Sequence, residues 1–399
     1  MSDYGPPSGA RELSAVAAIL AQCFNTPAED VGPWIARAGE SNLRVRRQRG
    51  QVCACLLILR MGQWFGGRSV PMGGLAAVGV PAEHRGAGHA LAITRAAVAE
   101  LAADGLPLST LYPATTHLYR QAGYEVAGGR FELRLQPQLI GLRERELTLR
   151  AMTDGDLPAI RELAAQRASL GNGALDRGEY IWSRIREPRG RIARGYVVER
   201  DGRIEGYAFL SQAFGTGRPG HYDVIAPDCA ALTPQAGRRL LTLFADHASL
   251  GDAVTFHGGP ADSLLALLPE RCWTARLVDP WMLRVLDVKG ALQARGWPAA
   301  ARGELLLDLR DDLLPQNQGR FLLEVEGGRA RVDTAPSAAG PSAAGAALRL
   351  DVRGLSPLYS AHMPPAALAA AGLLEGPPEA LAVAASLFAG PAPVMSDMF

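Results

Sequence analysis

A run of small and β-branched residues, Leu75-Ala-Ala-Val-Gly-Val80, passes through Glu83-His-Arg-Gly-Ala-Gly88 into a long apolar segment that ends near Ala103. The first part reads as a buried strand. The last places Ala90, Leu91, Ile93, Ala97, Val98 and Leu101 at helical spacing. A strand that turns directly into a helix through a basic, glycine-bearing loop constrains the fold to an α/β type. It also makes a local anion site. The first N–H groups of a helix lack intrahelical partners and carry the positive end of its dipole. Glycines let the backbone close on a ligand, and Arg85 adds a permanent charge with a fork suited to phosphate. The loop is therefore expected to hold phosphate.

The pattern is neither the P-loop, G-x-x-x-x-G-K-S/T, nor the dinucleotide fingerprint G-x-G-x-x-G. It reads Arg85-x-x-Gly88-x-Ala90 after Val78-Gly-Val80. This resembles the pyrophosphate loop of the GCN5-related N-acetyltransferases, Gln/Arg-x-x-Gly-x-Gly/Ala. Taken alone, it also fits an ordinary strand-to-helix turn. Further on stands Tyr119-Arg-Gln-Ala-Gly123-Tyr124, similar to the family's tyrosine, three residues, then Gly-Phe or Gly-Tyr. Two matches in order carry the resemblance better than either does.

The 399 residues are too many for one ordinary core and suggest two or three domains. The 41 basic and 40 acidic residues nearly cancel, which removes any global charge argument for nucleic acid or an anionic membrane. No run approaches a membrane span, and the acids and prolines near the start do not suit a signal peptide. The cysteines, Cys23, Cys53, Cys55, Cys229 and Cys272, form no disulfide framework and no metal spacing. Reduced thiols in a cytoplasmic protein without metal are expected.

Along the chain, residues 1–142 read as a helix (Ala10 to Cys23), a polar loop, strands, the long helix, and strands near Leu108 and from Arg130 to Gln136. A new start follows at Glu146 to Ala168, with Thr153-Asp-Gly-Asp as a helix entry. Val224-Ile-Ala-Pro precedes Asp228-Cys-Ala-Ala-Leu-Thr-Pro-Gln and an apolar helix, echoing Val78-Gly-Val-Pro but with no arginine or glycine in its loop. Residues 143–285 are read as a degenerate copy that keeps the sheet and loses the cofactor. Residues 286–399 show four strand-like runs, then helices at Pro365 to Leu374 and Pro378 to Leu387. The stretch TAPSAAGPSAAGAA is expected to be a flexible loop.

Two acetyltransferase-like halves and an α+β third part resemble the Eis (enhanced intracellular survival) family. The fold class that this implies is α/β (α+β): two tandem GCN5-related acetyltransferase folds, the second degenerate, and a C-terminal sterol-carrier-protein-like domain. The resemblance implies acetyl-CoA as cosubstrate, with no metal, and an amine acceptor on a polycationic small molecule of aminoglycoside type. It also implies a homohexamer. Val78, Gly79 and Val80 would face the pantetheine arm. The pyrophosphate would lie on the loop Arg85, Gly86, Ala87, Gly88, His89, Ala90 and Leu91, and Ala114 and Thr115 would line the cofactor. Tyr119 stands in the family's general-acid position, and a phenol with pKa about 10 stays protonated at neutral pH; packing of a short helix would explain it too. The carboxylate of Phe399 would serve as base, reached along the stiff tail Gly390-Pro-Ala-Pro, or would orient the cationic substrate. Glu29, Asp30 and Asp397, with Trp34 as an apolar wall, are candidate substrate contacts. Acetylation of protein lysine or another small metabolite, or binding of an apolar ligand by the third domain without catalysis, are the alternatives.

Overall fold

The computed structural model describes residues 3–188, 191–214, 219–335 and 347–399. The expected flexible loop lies almost wholly outside the described residues. The chain divides into two compact units. One holds residues 1–128, 280–393 and Phe399; the other holds 129–279 and 394–398.

The first 128 residues give β1 (Tyr4–Gly5), α1 (Gly9–Phe24), α2 (Ala28–Ala38), β2 (Leu43–Gln48), β3 (Gln51–Phe65), β4 (Arg68–Gly79), α3 (His89–Ala103), β5 (Leu108–Leu111), α4 (Thr116–Arg120) and the start of β6 (Glu125–Leu135). Strands pair in the order β1-β2-β3-β4-β5, antiparallel except that β4 and β5 are parallel. Alternation sends Ala54, Leu56, Ile58 and Leu75 to one face, where Ile93, Ala97, Val98 and Leu101 of α3 cover them. The opposite face carries Cys55, Gly74 and Gly79. There Ile19 of α1 packs so closely that a Cβ on Gly79 would lie 2.8 Å from its methyl carbon. The segment expected to be a polar loop between α1 and β2 is instead α2. Val31, Trp34, Ile35 and Ala38 recur at helical spacing, and Pro33 sits inside the helix without ending it.

The second unit contains most of β6, then β7 (Thr148–Ala151), α5 (Leu157–Ser169), β8 (Leu175–Asp176), α6 (Glu179–Arg186), β9 (Arg194–Arg200), β10 (Arg203–Phe214), β11 (Tyr222–Ala231), α7 (Pro234–Ala245), β12 (Gly251–Gly258) and the start of β13 (Trp273–Val285). Its sheet runs β6-β12-β11-β10-β9-β7 around a core of its own. Thr153 and Asp156 form the capping box that starts the helical segment. Each sheet takes its last strand from the other half of the chain. Met282–Val285 pair with Leu111–Leu108 of β5, and Phe131–Leu135 pair with Gly258–Val254 of β12. The expected loop at Asp228–Ala231 is the end of β11, where Asp228 to Ala231 pair with Phe209 to Gly206 of β10.

The remaining elements are α8 (Val288–Ala294), β14 (Gly303–Arg310), β15 (Gly319–Glu326), β16 (Arg329–Ala335), β17 (Leu348–Asp351), α9 (Val352–Tyr359), α10 (Pro365–Ala370), β18 (Leu374–Glu375) and α11 (Pro378–Leu387). The strands form a separate sheet in the order β16-β15-β14-β17-β18. The helix expected to reach Leu374 ends at Ala370, because Gly372 turns the chain at φ +69° and Leu374 pairs with Leu350. No described helix is long and apolar enough to cross a membrane.

Candidate active site

The opening strand–loop–helix junction lies at one end of the first sheet. β4 pairs with β5 only from Met72–Leu108 to Leu75–Leu111, and then runs four residues further to Gly79. At that point it bulges. Cys55 faces Gly79 and Leu57 faces Ala76, so Ala77 and Val78 oppose one residue, and Ala77 takes φ +54°. Past the Leu75–Leu111 pair the main-chain groups of Ala76–Gly79 have no ladder partner in β5. An amide-rich chain could pair there as an added strand. Val78 and Val80 are half-buried and Gly79 is buried.

Beyond Val80 the loop is held from below. The Arg85 Nε donates to the Val80 carbonyl at 3.2 Å, and the Ala82 N–H donates to Gln22 at 3.2 Å. Gly86 and Gly88 adopt φ +80° and +79°, and nothing lies within 4 Å of where their Cβ atoms would be. Their need is conformational, and the space they leave is open. Gly88 caps α3 without a side-chain acceptor, and no acid stands in the first turn. The outward N–H groups at Gly88–Leu91 are thus left for an anion. The His89 ring is buried and accepts from Arg46 at 3.3 Å. Burial, Arg46 and His84 together lower its pKa, favouring the uncharged ring.

The corresponding helix of the second unit differs in chemistry. Thr233 caps α7 by accepting from the Ala236 N–H, Pro234 removes one N–H, and the Thr233 hydroxyl donates to Glu205 at 2.7 Å. That end carries a side-chain cap, one N–H fewer and a carboxylate beside the cap.

Tyr119 sits on α4, 5% exposed, with its ring edge-on to Tyr124 at 6.2 Å. Burial pushes its phenol up to about 12. Its hydroxyl makes no hydrogen bond among the described residues. Tyr124, by contrast, shares a hydrogen bond with Ser109 at 2.8 Å, and Ser109 donates to the Gly73 carbonyl. Two similar tyrosines therefore differ in kind, one fully engaged and one with its hydroxyl available. Ala114 and Thr115 are exposed just before α4.

The place of Phe399 explains a glycine pair in the middle of β4. A Cβ on Gly73 would fall 2.5 Å from Leu101, and one on Gly74 would fall 2.7 Å from the Phe399 ring and 2.9 Å from Met61. One glycine admits α3 and the other admits the last residue of the chain. Phe399 also lies 5.8 Å from Tyr112, ring to ring. Of the candidate substrate contacts, Glu29 and Asp30 are exposed in the first turn of α2, and Trp34 packs edge-on to Phe24 at 5.9 Å. Asp397 belongs to the second unit. It accepts from Arg177 at 2.9 Å, and Arg177 also grips Asp228 at 2.6 Å. The Arg177 cluster, the Ser109–Tyr124 pair and the Ala77 bulge depend on residues far apart in the chain and carry no local signature. Among the described residues no cluster of side chains suits a metal.

Comparison with known proteins agrees with this geometry. Residues 7–127 and 173–285 each match a family described as acetyltransferase (GNAT) domain, and residues 288–396 match the sterol carrier protein domain. The crystal structure of a GCN5-related N-acetyltransferase from Anabaena variabilis is 35% identical, covers 99% of both chains and superposes with a TM-score of 0.93. An uncharacterized N-acetyltransferase of Streptomyces avermitilis is 27% identical over 81% of this chain and 80% of its own length. The chain belongs to the GCN5-related N-acetyltransferases and is an acetyltransferase enzyme. Within that class it has the fold of Eis1 from Mycobacterium abscessus, at 21% identity, full coverage of both chains and a TM-score of 0.78. Two acetyltransferase domains precede a sterol carrier protein domain.

Enzymes of this class use acetyl-CoA, and the first domain's loop suits its pyrophosphate. The expected result for an Arg85→Ala, Gly88→Glu double variant is loss of acetyl-CoA binding with the fold retained. The carboxylate would stand where N–H groups await an anion, and φ +79° would be strained for any side chain. Calorimetry should show one site per chain in the parent. Two sites, or unchanged affinity in the variant, would contradict the assignment.

Proposed function

We propose that the protein transfers acetyl from acetyl-CoA to amines of polycationic small molecules of aminoglycoside type, in the first domain. The amine nitrogen attacks the thioester carbonyl and the C–S bond breaks. The Tyr119 hydroxyl gives its proton to the leaving thiolate, and the carboxylate of Phe399 takes the proton released by the amine. The observation that carries this reading is the seat of Phe399 in the room left by Gly74, on the same strand whose outer end bulges at Ala77. Val78–Val80 would hold the pantetheine arm, and Arg85–Leu91, Ala114 and Thr115 the rest of the cofactor. An exposed pair of acids, Glu29 and Asp30, with Trp34 behind them, supports a cationic acceptor.

The test is release of free thiol from acetyl-CoA with a panel of aminoglycosides, linear polyamines, single-amine metabolites and lysine peptides. The expected order puts molecules with several amines first. A panel in which lysine peptides or single amines lead would overturn the substrate class, and no release with any amine would overturn the activity.

A further inference from the structure

The short helix that carries Tyr119 is poorly able to place itself. It has five residues, neither end is capped by a side chain, and helices so short are marginal alone. Its own turn supplies three backbone bonds: Ala122 and Tyr124 N–H groups to the Tyr119 carbonyl, and the Gly123 N–H to Arg120. Arg95 of α3 adds a bond to the Gln121 carbonyl at 2.9 Å, and Tyr124 bonds Ser109. Two further clasps come from residues much later in the chain.

Glu125, directly after Tyr124, is the centre of the first clasp. Its side chain is 5% exposed and accepts from Arg120 at 2.7 Å and from Arg353 at 2.7 Å. Arg120 directly follows Tyr119, so the carboxylate ties the helix to the strand that follows it. Arg353 comes from the sterol carrier protein domain. It stands at the first turn of α9, whose N-cap Asp351 accepts from Gly354 at 2.9 Å and so fixes that turn. Burial alone would raise the Glu125 pKa, but hydrogen bonds from Arg120 and Arg353 bring it below the ordinary value, so the clasp is ionic at neutral pH.

The second clasp presses on Gly123, the turn residue between the two tyrosines. A Cβ there would lie 2.9 Å from both Cζ and Nε of Arg284. The guanidinium therefore lies against the glycine backbone, which also has φ +85°. Arg284 is wholly buried and donates through Nη2 to both oxygens of Asp311 at 2.7 Å. Asp311 is oriented in turn by the N–H groups of Leu313 and Leu314 and by Asn317. Asp311 and Asn317 also belong to the sterol carrier protein domain.

We infer that this domain is a positioning element of the acetyl-transfer site, with Arg353, acting through Glu125, and Asp311, acting through Arg284, holding the Tyr119 helix in place. The inference rests on the reading of Tyr119 as the acid. It gives the third domain a role in turnover that requires no apolar ligand.

The test uses Arg353, because removing either partner of the buried Arg284–Asp311 pair endangers folding itself. In the full chain, Arg353→Met should lower kcat by roughly tenfold to a hundredfold, the scale of a displacement of about 1 Å, with KM for acetyl-CoA nearly unchanged. Arg353→Lys, which keeps a charged donor for Glu125, should recover part of the loss. In a Tyr119→Phe background, Arg353→Met should cost little more, since the group it positions is gone. Equal losses in both backgrounds, or a parental kcat in a folded Arg353→Met protein, would overturn the inference. If Tyr119→Phe itself retained the parental rate, the reading beneath it would fail first, and the two failures are thereby told apart.

Discussion

Tyr119→Phe should slow amine acetylation by about 10²–10⁴-fold, the usual contribution of a positioned general acid, while acetyl-CoA affinity and thermal stability stay near those of the parent. The substitution is unusually clean at this position. The ring keeps its edge-on contact with Tyr124, and the hydroxyl that is removed has no hydrogen bond to lose among the described residues. The same environment sets a pH dependence. Burial holds the phenol at about 12, so the acid stays protonated while the amine substrate loses its proton between neutrality and about pH 10. The parental rate should rise over that range without a descending limb from Tyr119. Stability follows the opposite direction at high pH. Tyrosine in the unfolded chain ionises near 10, and the folded protein resists ionisation until about 12. This residue's contribution is therefore complete below about pH 10 and is lost as pH rises through the folded value. Thiol-release kinetics from pH 7 upward, on parent and variant, measure the effect. A variant within about twofold of the parent would remove Tyr119 from the mechanism.

The parts of the molecule legible in the sequence are those whose signals are local. Arg85-x-x-Gly88 could be read because a strand, a positive-φ turn and a helix N-terminus are consecutive, and the turn chemistry resides in the residues themselves. Thr153-Asp-Gly-Asp announced its helix for the same reason. α2 was obscured by Gly32-Pro33, although its apolar spacing was present; a proline six residues into a helix costs one internal hydrogen bond, which packing of Val31 and Ile35 offsets here. Asp228–Ala231 looked like a loop because polar and small residues precede a proline. A place in the middle of a paired strand end, with Asp228 buried against Arg177, overrides that composition. The exchange of final strands was hidden for a different reason. Alternation says that Phe131–Leu135 and Met282–Val285 are strands but not which neighbour each will pair with. The clasps behind Gly123 belong to the same class: Arg284, Asp311 and Arg353 each look like ordinary charges until the fold brings them to one turn. The glycines at 73 and 74 were equally silent, since only the positions of Leu101 and Phe399 show what they make room for.

Moving the terminal carboxylate without moving the Phe399 ring should abolish most of the activity. The ring fills the space above Gly74, and the tail before it is held by its own bonds. Val394 donates to Asn172, Met395 donates to Gly129, Arg130 donates to the Ser396 carbonyl, and Arg177 binds Asp397. Deleting Phe399 withdraws the carboxylate by up to about 3.6 Å along the chain and also empties the space above Gly74. Adding Gly-Ser after Phe399 keeps the ring and displaces only the charge, and a C-terminal amide made by ligation keeps both the ring and the position but removes the charge. Displacement by about 1 Å can cost a hundredfold, so the extended and amidated proteins should both lose about that much or more. Phe399→Leu, which preserves an apolar anchor and the carboxylate, should lose far less. Melting temperatures of the extended and amidated chains should match the parent, because neither change touches a buried contact. The pair of variants separates two roles. If the amide retains the rate and the extension does not, crowding of the site explains the loss and the carboxylate is not the base. Parental activity in the extended chain would dismiss the terminal carboxylate altogether, and the proton acceptor would then be sought among the internal acids, beginning with Glu29 and Asp30 on α2.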